Sequence, residues 1–237
     1  MTMPEKPDDD DRTDGYASPP CLMHETDPAW RGEAADESDR VRVLRWRKAE
    51  RQRLIAARLA VDAGLRRAHA AAIADRLDTV IGDPGGKTVS VYWPFRGEPD
   101  LRAWMERVAE RCGRYALPVV VKMAAPLVFR TWRRGEPLGR GVWDIAIPAD
   151  GCEVVPDVVV SPLVGFDRGL RRLGYGGGFY DRTLAGLDAR PLVVGVGYAL
   201  AEIPTIYPQP HDIPMSVIVT EEETVRPPRE TPGGTAA

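Results

Sequence analysis

Short apolar runs recur along the chain at residues 88–93, 115–121, 127–132, 157–161, 192–198 and 216–220. Each has the length of one strand. Several, such as Val158-Val159-Val160, are apolar at every position, the pattern of strands covered on both faces. Three stretches between and before them carry the helical period instead. Residues 41–60 read as a basic helix. Asp62 stands where it can cap a second helix reaching residue 80, with Leu65, Ala68, Ala72, Ile73 and Leu77 expected on its inner face. Leu101, Trp104, Met105 and Val108 mark a third over residues 99–111. Helix and strand alternate, which predicts an α/β fold: three layers, a mostly parallel open sheet with helices on both faces. No internal repeat interrupts the pattern.

The ends of the chain lack these periods. Residues 1–40 hold twelve acidic and four basic residues, including Asp8-Asp9-Asp10-Asp11, and few large apolar side chains. They are expected to form a disordered acidic segment. Residues 226–237, rich in Pro and Gly, are expected to be a disordered tail, leaving 41–225 as a single folded domain. The overall charge of −3 therefore hides a body that carries twenty-eight basic and twenty-three acidic residues from position 41 on. A mildly basic body suits small anionic ligands better than long nucleic acid, so no nucleic-acid partner is expected.

No apolar run has the length of a bilayer span, and the first residues lack the charged start and apolar stretch of a secretory signal. Cys21, Cys112 and Cys152 are widely spaced and fit no metal pattern. Together these features predict a cytoplasmic protein without a membrane partner, with Cys112 and Cys152 as buried, inert thiols.

Candidate chemistry concentrates after the run at 158–160. Gly174, Gly176, Gly177 and Gly178 fall within five residues and lead into Phe179-Tyr180-Asp181-Arg182, where a helix is expected to start. Glycines let main-chain N–H groups approach an anion closely, and Arg172 beside them can add a bidentate fork to phosphate. The spacing is neither that of a dinucleotide fingerprint nor that of a nucleoside-triphosphate loop ending in Gly-Lys-Ser/Thr. In open parallel sheets, ligands sit at the carboxyl ends of strands. The glycine loop follows one strand, Glu98 follows another, and His211-Asp212 precede the last, so all three can meet at one cleft.

The run from Pro162 through Phe166, Asp167, Arg172, Leu173, Gly174, Gly176, Gly178, Phe179, Tyr180 and Asp181 resembles the signature of the 5-formyltetrahydrofolate cyclo-ligase (methenyltetrahydrofolate synthetase) family. One spacing departs from it: Gly169 is followed by Leu170 and Arg171 before Arg172. The resemblance is strongest over 162–182, extends over 92–100 and 211–220, and is weak elsewhere. It implies an enzyme that closes 5-formyltetrahydrofolate to 5,10-methenyltetrahydrofolate with ATP and Mg²⁺, releasing ADP and phosphate, and acting as a monomer on a small-molecule substrate. It further implies catalytic roles for Arg172, Tyr180 and Asp181, and an ATP site over Arg172, Leu173, Gly174, Tyr175, Gly176, Gly177, Gly178, Phe179 and Tyr180.

By the same resemblance, a basic residue and an arginine four positions on contact the phosphates. Arg47 and Arg51 fit that spacing, with Lys48 in place of Arg47 if the register slips. Asp181 and Asp212 would be the metal carboxylates. Glu98, Trp93, the loop from Tyr175 to Phe179 and Trp143 would face the folate. Around Trp143 the sequence has Ile147 where the family commonly has glutamate.

Plainer readings stand beside these. The arginines of residues 41–60, which also include Arg45, Arg53 and Arg58, fit a solvated basic helix. Trp93 and Trp143 fit a core, and His211 fits a local hydrogen bond. A non-catalytic folate- or nucleotide-binding regulator would use the same pocket, and a sugar-phosphate or coenzyme A enzyme could share the scaffold.

Overall fold

The computed structural model describes residues 37–227. Expectations for residues 1–36, Cys21 among them, and for residues 228–237 lie outside the described residues. In chain order the elements are α1 (Glu37–Ala60), α2 (Ala63–Ile81), β1 (Thr88–Ser90), α3 (Arg102–Glu110), β2 (Arg114–Val119), β3 (Val128–Thr131), β4 (Leu138–Arg140), β5 (Ala146–Pro148), β6 (Glu153–Val154), β7 (Val158–Pro162), β8 (Gly165–Phe166), β9 (Arg172–Leu173), α4 (Phe179–Ala185), β10 (Leu192–Val196), β11 (Val217–Val219) and β12 (Thr224–Val225).

Eight strands form one sheet in the order β12-β11-β10-β7-β1-β2-β3-β6. Its five central strands, β11 to β2, run parallel. β12 at one edge, and β3 and β6 at the other, join antiparallel. From β1 the chain goes to β2 on one side and later to β7 on the other. The crevice beyond β1 and β7 is thus the switch point where open α/β sheets bind ligands.

Side chains alternate across the sheet as the period of two requires. Val89, Val91, Val158, Val160, Val194, Val196, Val217 and Val219 pack on one face against Ile73 and Leu77 of α2 and Trp104 and Met105 of α3. On the other face Val159 and Phe129 meet Tyr180 and Leu184 of α4, and Val193 and Ile218 meet Leu163, Phe166 and Met215. The predicted three-layer α/β architecture is the observed one. α1 packs on the β8/β9 hairpin and on the segment after β10: its Leu54 clusters with Val164, Leu173, Ile203 and Ile206.

Several details differ from the sequence pattern. Asp62 does cap α2, accepting from Gly64 N at 2.6 Å and Leu65 N at 3.2 Å. The buried face of α2, however, is Ala70, Ile73, Ala74, Leu77 and Ile81, while Leu65 is 50% exposed and Ala68 is exposed. The first turn of α2 carries the cap and extends past the sheet, so only its later turns are covered. α1 begins at Glu37 rather than at 41.

Most strands end before their apolar runs do, because the chain leaves the ladder to line cavities: Trp93 beyond β1, Val120 beyond β2 and Tyr198 beyond β10. Cys112 and Cys152 are exposed, not buried. Cys112 sits just after α3 in a left-handed conformation, and Cys152 just before β6.

The β8/β9 hairpin, which the apolar pattern did not announce, stands between β7 and the glycine loop. It pairs Gly165 with Leu173 and Phe166 with Arg172. Its turn explains the departure at Gly169: the left-handed residue is Leu170, at φ 61°. That conformation is costly for a residue with a Cβ. Leu170 is buried with Leu163 and Phe166, and the Asp167 carboxylate accepts from Arg171 N at 3.3 Å, so packing and local hydrogen bonds hold the turn.

Candidate active site

The buried face of α1 is made of arginines. Arg47, Arg51, Leu54 and Arg58 follow one helical stripe, and all four are at most 5% exposed. Burying a guanidinium is costly unless its donors are satisfied, and here they are. Arg47 Nε donates to Ile206 O at 2.9 Å, and its guanidinium pairs with the Asp212 carboxylate. Arg51 Nε donates to Gly174 O at 2.7 Å, tying α1 to the glycine loop. Arg58 donates to Arg96 O at 3.0 Å, to Leu163 O at 3.2 Å and to the Tyr175 hydroxyl at 2.6 Å. The solvated-helix reading is therefore overturned for Arg47, Arg51 and Arg58, and holds for Arg45 and Arg53, which are exposed. Sequence reasoning assigned Arg58 to a surface; its spacing from Arg47 and Arg51 was the signal for the same buried face.

The glycine loop emerges from β9 and ends at the start of α4. Gly178 takes φ 61° there, and a Cβ on Gly177 would lie 2.7 Å from the Phe179 ring. The loop thus needs glycine for conformation at Gly176, with φ 103°, and at Gly178, and for close packing at Gly177 between them. Arg182 folds back to donate to Gly177 O at 2.6 Å.

Arg172, 6% exposed, points along the loop. Its Nη2 lies 2.8 Å from Asp181 Oδ1, an ion pair whose angle is not that of a hydrogen bond. Asp181 Oδ1 also accepts from Ile213 N at 3.1 Å, which joins the loop to the segment after His211-Asp212. The Arg172 guanidinium lies 5.6 Å from the centre of the Tyr180 ring. The Tyr180 hydroxyl is buried with no partner among the described residues, and burial pushes its pKa up, so it remains a donor.

Glu98 faces the loop from the turn after β1. It is 5% exposed, and its two oxygens accept from Phe95 N and from the Tyr175 hydroxyl, each at 2.9 Å. Burial raises its pKa to about 7, against the opposing pull of the Arg58 charge. Phe95 and Tyr175 stack with ring centres 5.7 Å apart.

These groups line one cleft of about 150 Å³. Arg47 and Arg51, Trp93 and Glu98, the loop from Arg172 to Asp181, and His211 and Asp212 all border it. Leu173 borders it as well, although its side chain belongs to the Leu54 cluster. Trp143 also reaches it. The β4/β5 hairpin places Trp143 and Asp144 in consecutive left-handed conformations, and the Trp143 ring stands 5.9 Å from that of Phe179. Trp93 packs edge-on against Trp132 while bordering the cleft, so it is both core and wall. Lys48 does not border it; the helix turns it away from the stripe of Arg47 and Arg51. His211 lies 4.0 Å from Asp212, and burial lowers its pKa, which favours the neutral ring. A larger groove between α2 and α3, of about 1160 Å³, shares Trp93 and Glu98 but none of the glycine loop.

A model described as the 5-formyltetrahydrofolate cyclo-ligase family matches residues 43–221. The chain belongs to that family. It is accordingly an enzyme of the ligase class. The 5-formyltetrahydrofolate cyclo-ligase of Mycolicibacterium smegmatis is 33% identical over 151 residues, covering 59% of this chain and 76% of the relative. That of Escherichia coli K12 is 34% identical over 140 residues, covering 56% and 77%. The solution structure of Aquifex aeolicus 5,10-methenyltetrahydrofolate synthetase superposes with a TM-score of 0.67 at 27% identity, covering 81% of this chain and 95% of that one. A methenyltetrahydrofolate synthetase from Mycoplasma pneumoniae, at 21% identity and a TM-score of 0.61 over 74% and 98%, shows the same fold.

Among the described residues, no group of three or more His, Cys, Asp or Glu could hold a cation alone, and no helix is long and apolar enough to cross a membrane. A small hard cation that keeps water and phosphate in its shell needs only one or two carboxylates. Asp181 and Asp212 both stand on the cleft wall, Asp181 paired with Arg172 and Asp212 with Arg47.

Proposed function

We propose that this cyclo-ligase converts 5-formyltetrahydrofolate, ATP and Mg²⁺ to 5,10-methenyltetrahydrofolate, ADP and phosphate. One observation carries the reading: the buried cations Arg47, Arg51 and Arg172 and the glycine loop share a cleft with the buried carboxyl of Glu98. The first group suits a triphosphate, the second the N–H edge of a pterin. In this scheme the formyl oxygen attacks the γ-phosphorus and ADP leaves. N10 then attacks the activated formyl carbon, loses its proton, and the carbon–oxygen bond breaks to release phosphate.

No enzyme nucleophile enters, so the side chains act by alignment and by stabilising charge. Arg172 and Arg51 hold phosphoryl oxygens, and the Tyr180 hydroxyl, which lacks a protein acceptor, donates to one of them. Glu98 accepts paired N–H bonds from the pterin, with Trp93, Phe95 and Trp143 against its flat faces. Asp181 and Asp212 would hold Mg²⁺, which would supply further positive charge beside the transferred group.

The test is turnover. The enzyme with 5-formyltetrahydrofolate, ATP and Mg²⁺ should give the near-ultraviolet absorbance of the methenyl product. Tight folate binding with no ATP-dependent product would replace this reading with that of a non-catalytic binder.

A further inference from the structure

Arg58 differs from the other arginines of its stripe. It does not border the cleft, and among the described residues it has no carboxylate within ion-pair distance. A guanidinium 4% exposed is nevertheless retained there, its donors spent on two carbonyls and one phenol. Those partners come from three segments of the cleft wall: Arg96 from the turn after β1, Leu163 from the end of β7, and Tyr175 from the glycine loop.

The direction of the hydrogen bonds is fixed. Arginine can only donate, so the Tyr175 oxygen accepts from Arg58, and its single hydroxyl proton is committed to Glu98 Oε1 at 2.9 Å. The alternative acceptor, Phe95 O, lies at 3.5 Å. Glu98 is thereby held at both oxygens, by Tyr175 and by Phe95 N, with outward lone pairs left for a ligand.

We propose that Arg58 is a positioning residue for the folate subsite, acting through Tyr175 to orient Glu98 and to sustain its negative charge. The inference rests on the reading of Glu98 as a pterin contact. The charged and titratable groups around Glu98 are Arg58 from α1, Tyr175 and Tyr180 from the glycine loop and α4, Tyr92 from the end of β1, and Tyr198 from the end of β10. Arg58 is the cation in that set, and its charge favours the ionised carboxyl.

The experiment compares the full-length enzyme with Arg58→Met, Arg58→Lys, Tyr175→Phe and the Arg58→Met/Tyr175→Phe double variant. The KM for 5-formyltetrahydrofolate and the KM for ATP are measured from pH 5 to 9. Equilibrium folate binding is measured in parallel by tryptophan fluorescence. Arg58→Met should raise the folate KM and Kd about tenfold while the ATP KM stays within about twofold, because one charged hydrogen bond to a ligand-holding group is lost. The acid limb of folate binding should move to higher pH by about one unit. Lysine, a point charge that cannot span three partners, should restore the limb but not the affinity. The double variant should be little worse than Tyr175→Phe alone, since both cut the same relay.

Equal rises in both KM values, an unmoved limb, or additive losses would overturn the proposal. If the wild type binds folate but does not turn over, the cyclo-ligase reading fails, and the binding arm still decides the role of Arg58. If Arg58→Met does not fold, Arg58→Lys carries the KM and Kd comparison, with the folate values expected to rise about tenfold against an unchanged ATP KM and a limb that stays in place.

Discussion

α1 and α2 follow each other in the chain and read alike as helices, yet they bury opposite kinds of surface. α2 lays Ala70, Ile73, Ala74, Leu77 and Ile81 on the sheet. α1 turns inward Arg47, Arg51 and Arg58 around a single Leu54. One face is held by the removal of apolar area from water. The other is held by directed hydrogen bonds to carbonyls, a phenol and a carboxylate. An apolar face of this kind supports a sheet.

The comparison breaks most sharply at Arg51. Arg51→Met should lower kcat/KM by 10²- to 10³-fold, about 3–4 kcal/mol of transition-state stabilisation, as for loss of one preorganised donor at a developing anion. Circular dichroism should show the fold intact. Steady-state kinetics with ATP varied would check it, and a loss below threefold would remove Arg51 from the phosphate site.

Leu77→Ala should do the reverse. A fully buried leucine cut to alanine costs about 2–5 kcal/mol of stability, with turnover per folded molecule unchanged. Urea denaturation alongside the activity assay separates the two.

Glu98→Gln sharpens the contrast between buried charge and buried oil. With a native pKa of about 7 against 4.5 ordinarily, Glu98 favours the native state while protonated. That contribution is complete below about pH 4 and is lost as pH rises through 7, on the order of 3 kcal/mol in all. The glutamine variant should flatten this part of the pH–stability curve. It should also outlast the wild type in urea at pH 8. An unchanged slope would mean that Glu98 is ionised throughout.

The smallest effect belongs to Leu65. Helical spacing assigns it to the inner face, but it is 50% exposed. Leu65→Ala should shift unfolding by no more than about 0.5 kcal/mol. A larger loss would restore the face that spacing suggests.

The sheet was legible because its strands are buried on both sides. A run such as Val158-Val159-Val160 has few other uses, and Trp104, Met105 and Val108 have no polar competitor for the inner face of α3. The signature from Arg172 to Asp181 was legible because so many glycines beside a cation and a carboxylate are a local pattern, and the family model that matches residues 43–221 spans it. Less was readable where polar residues are buried. Arginines at helical spacing look like a surface, since only partners from the turn after β1, the end of β7, the glycine loop and the segment between β10 and β11 satisfy them. The left-handed turn is similar. A glycine in the chain suggests where such a turn falls, but packing moved it to Leu170.

The order of residues alone determined an α/β chain with a parallel centre and a glycine loop leading into a helix, because periodicity and glycine content are local properties. Tertiary structure decided that Glu98 and Arg172, seventy-four positions apart, share one cleft, and that Arg58 is inside. The physical reason is that burying a charge is stable only when partners from distant segments arrive together. No local pattern encodes that meeting.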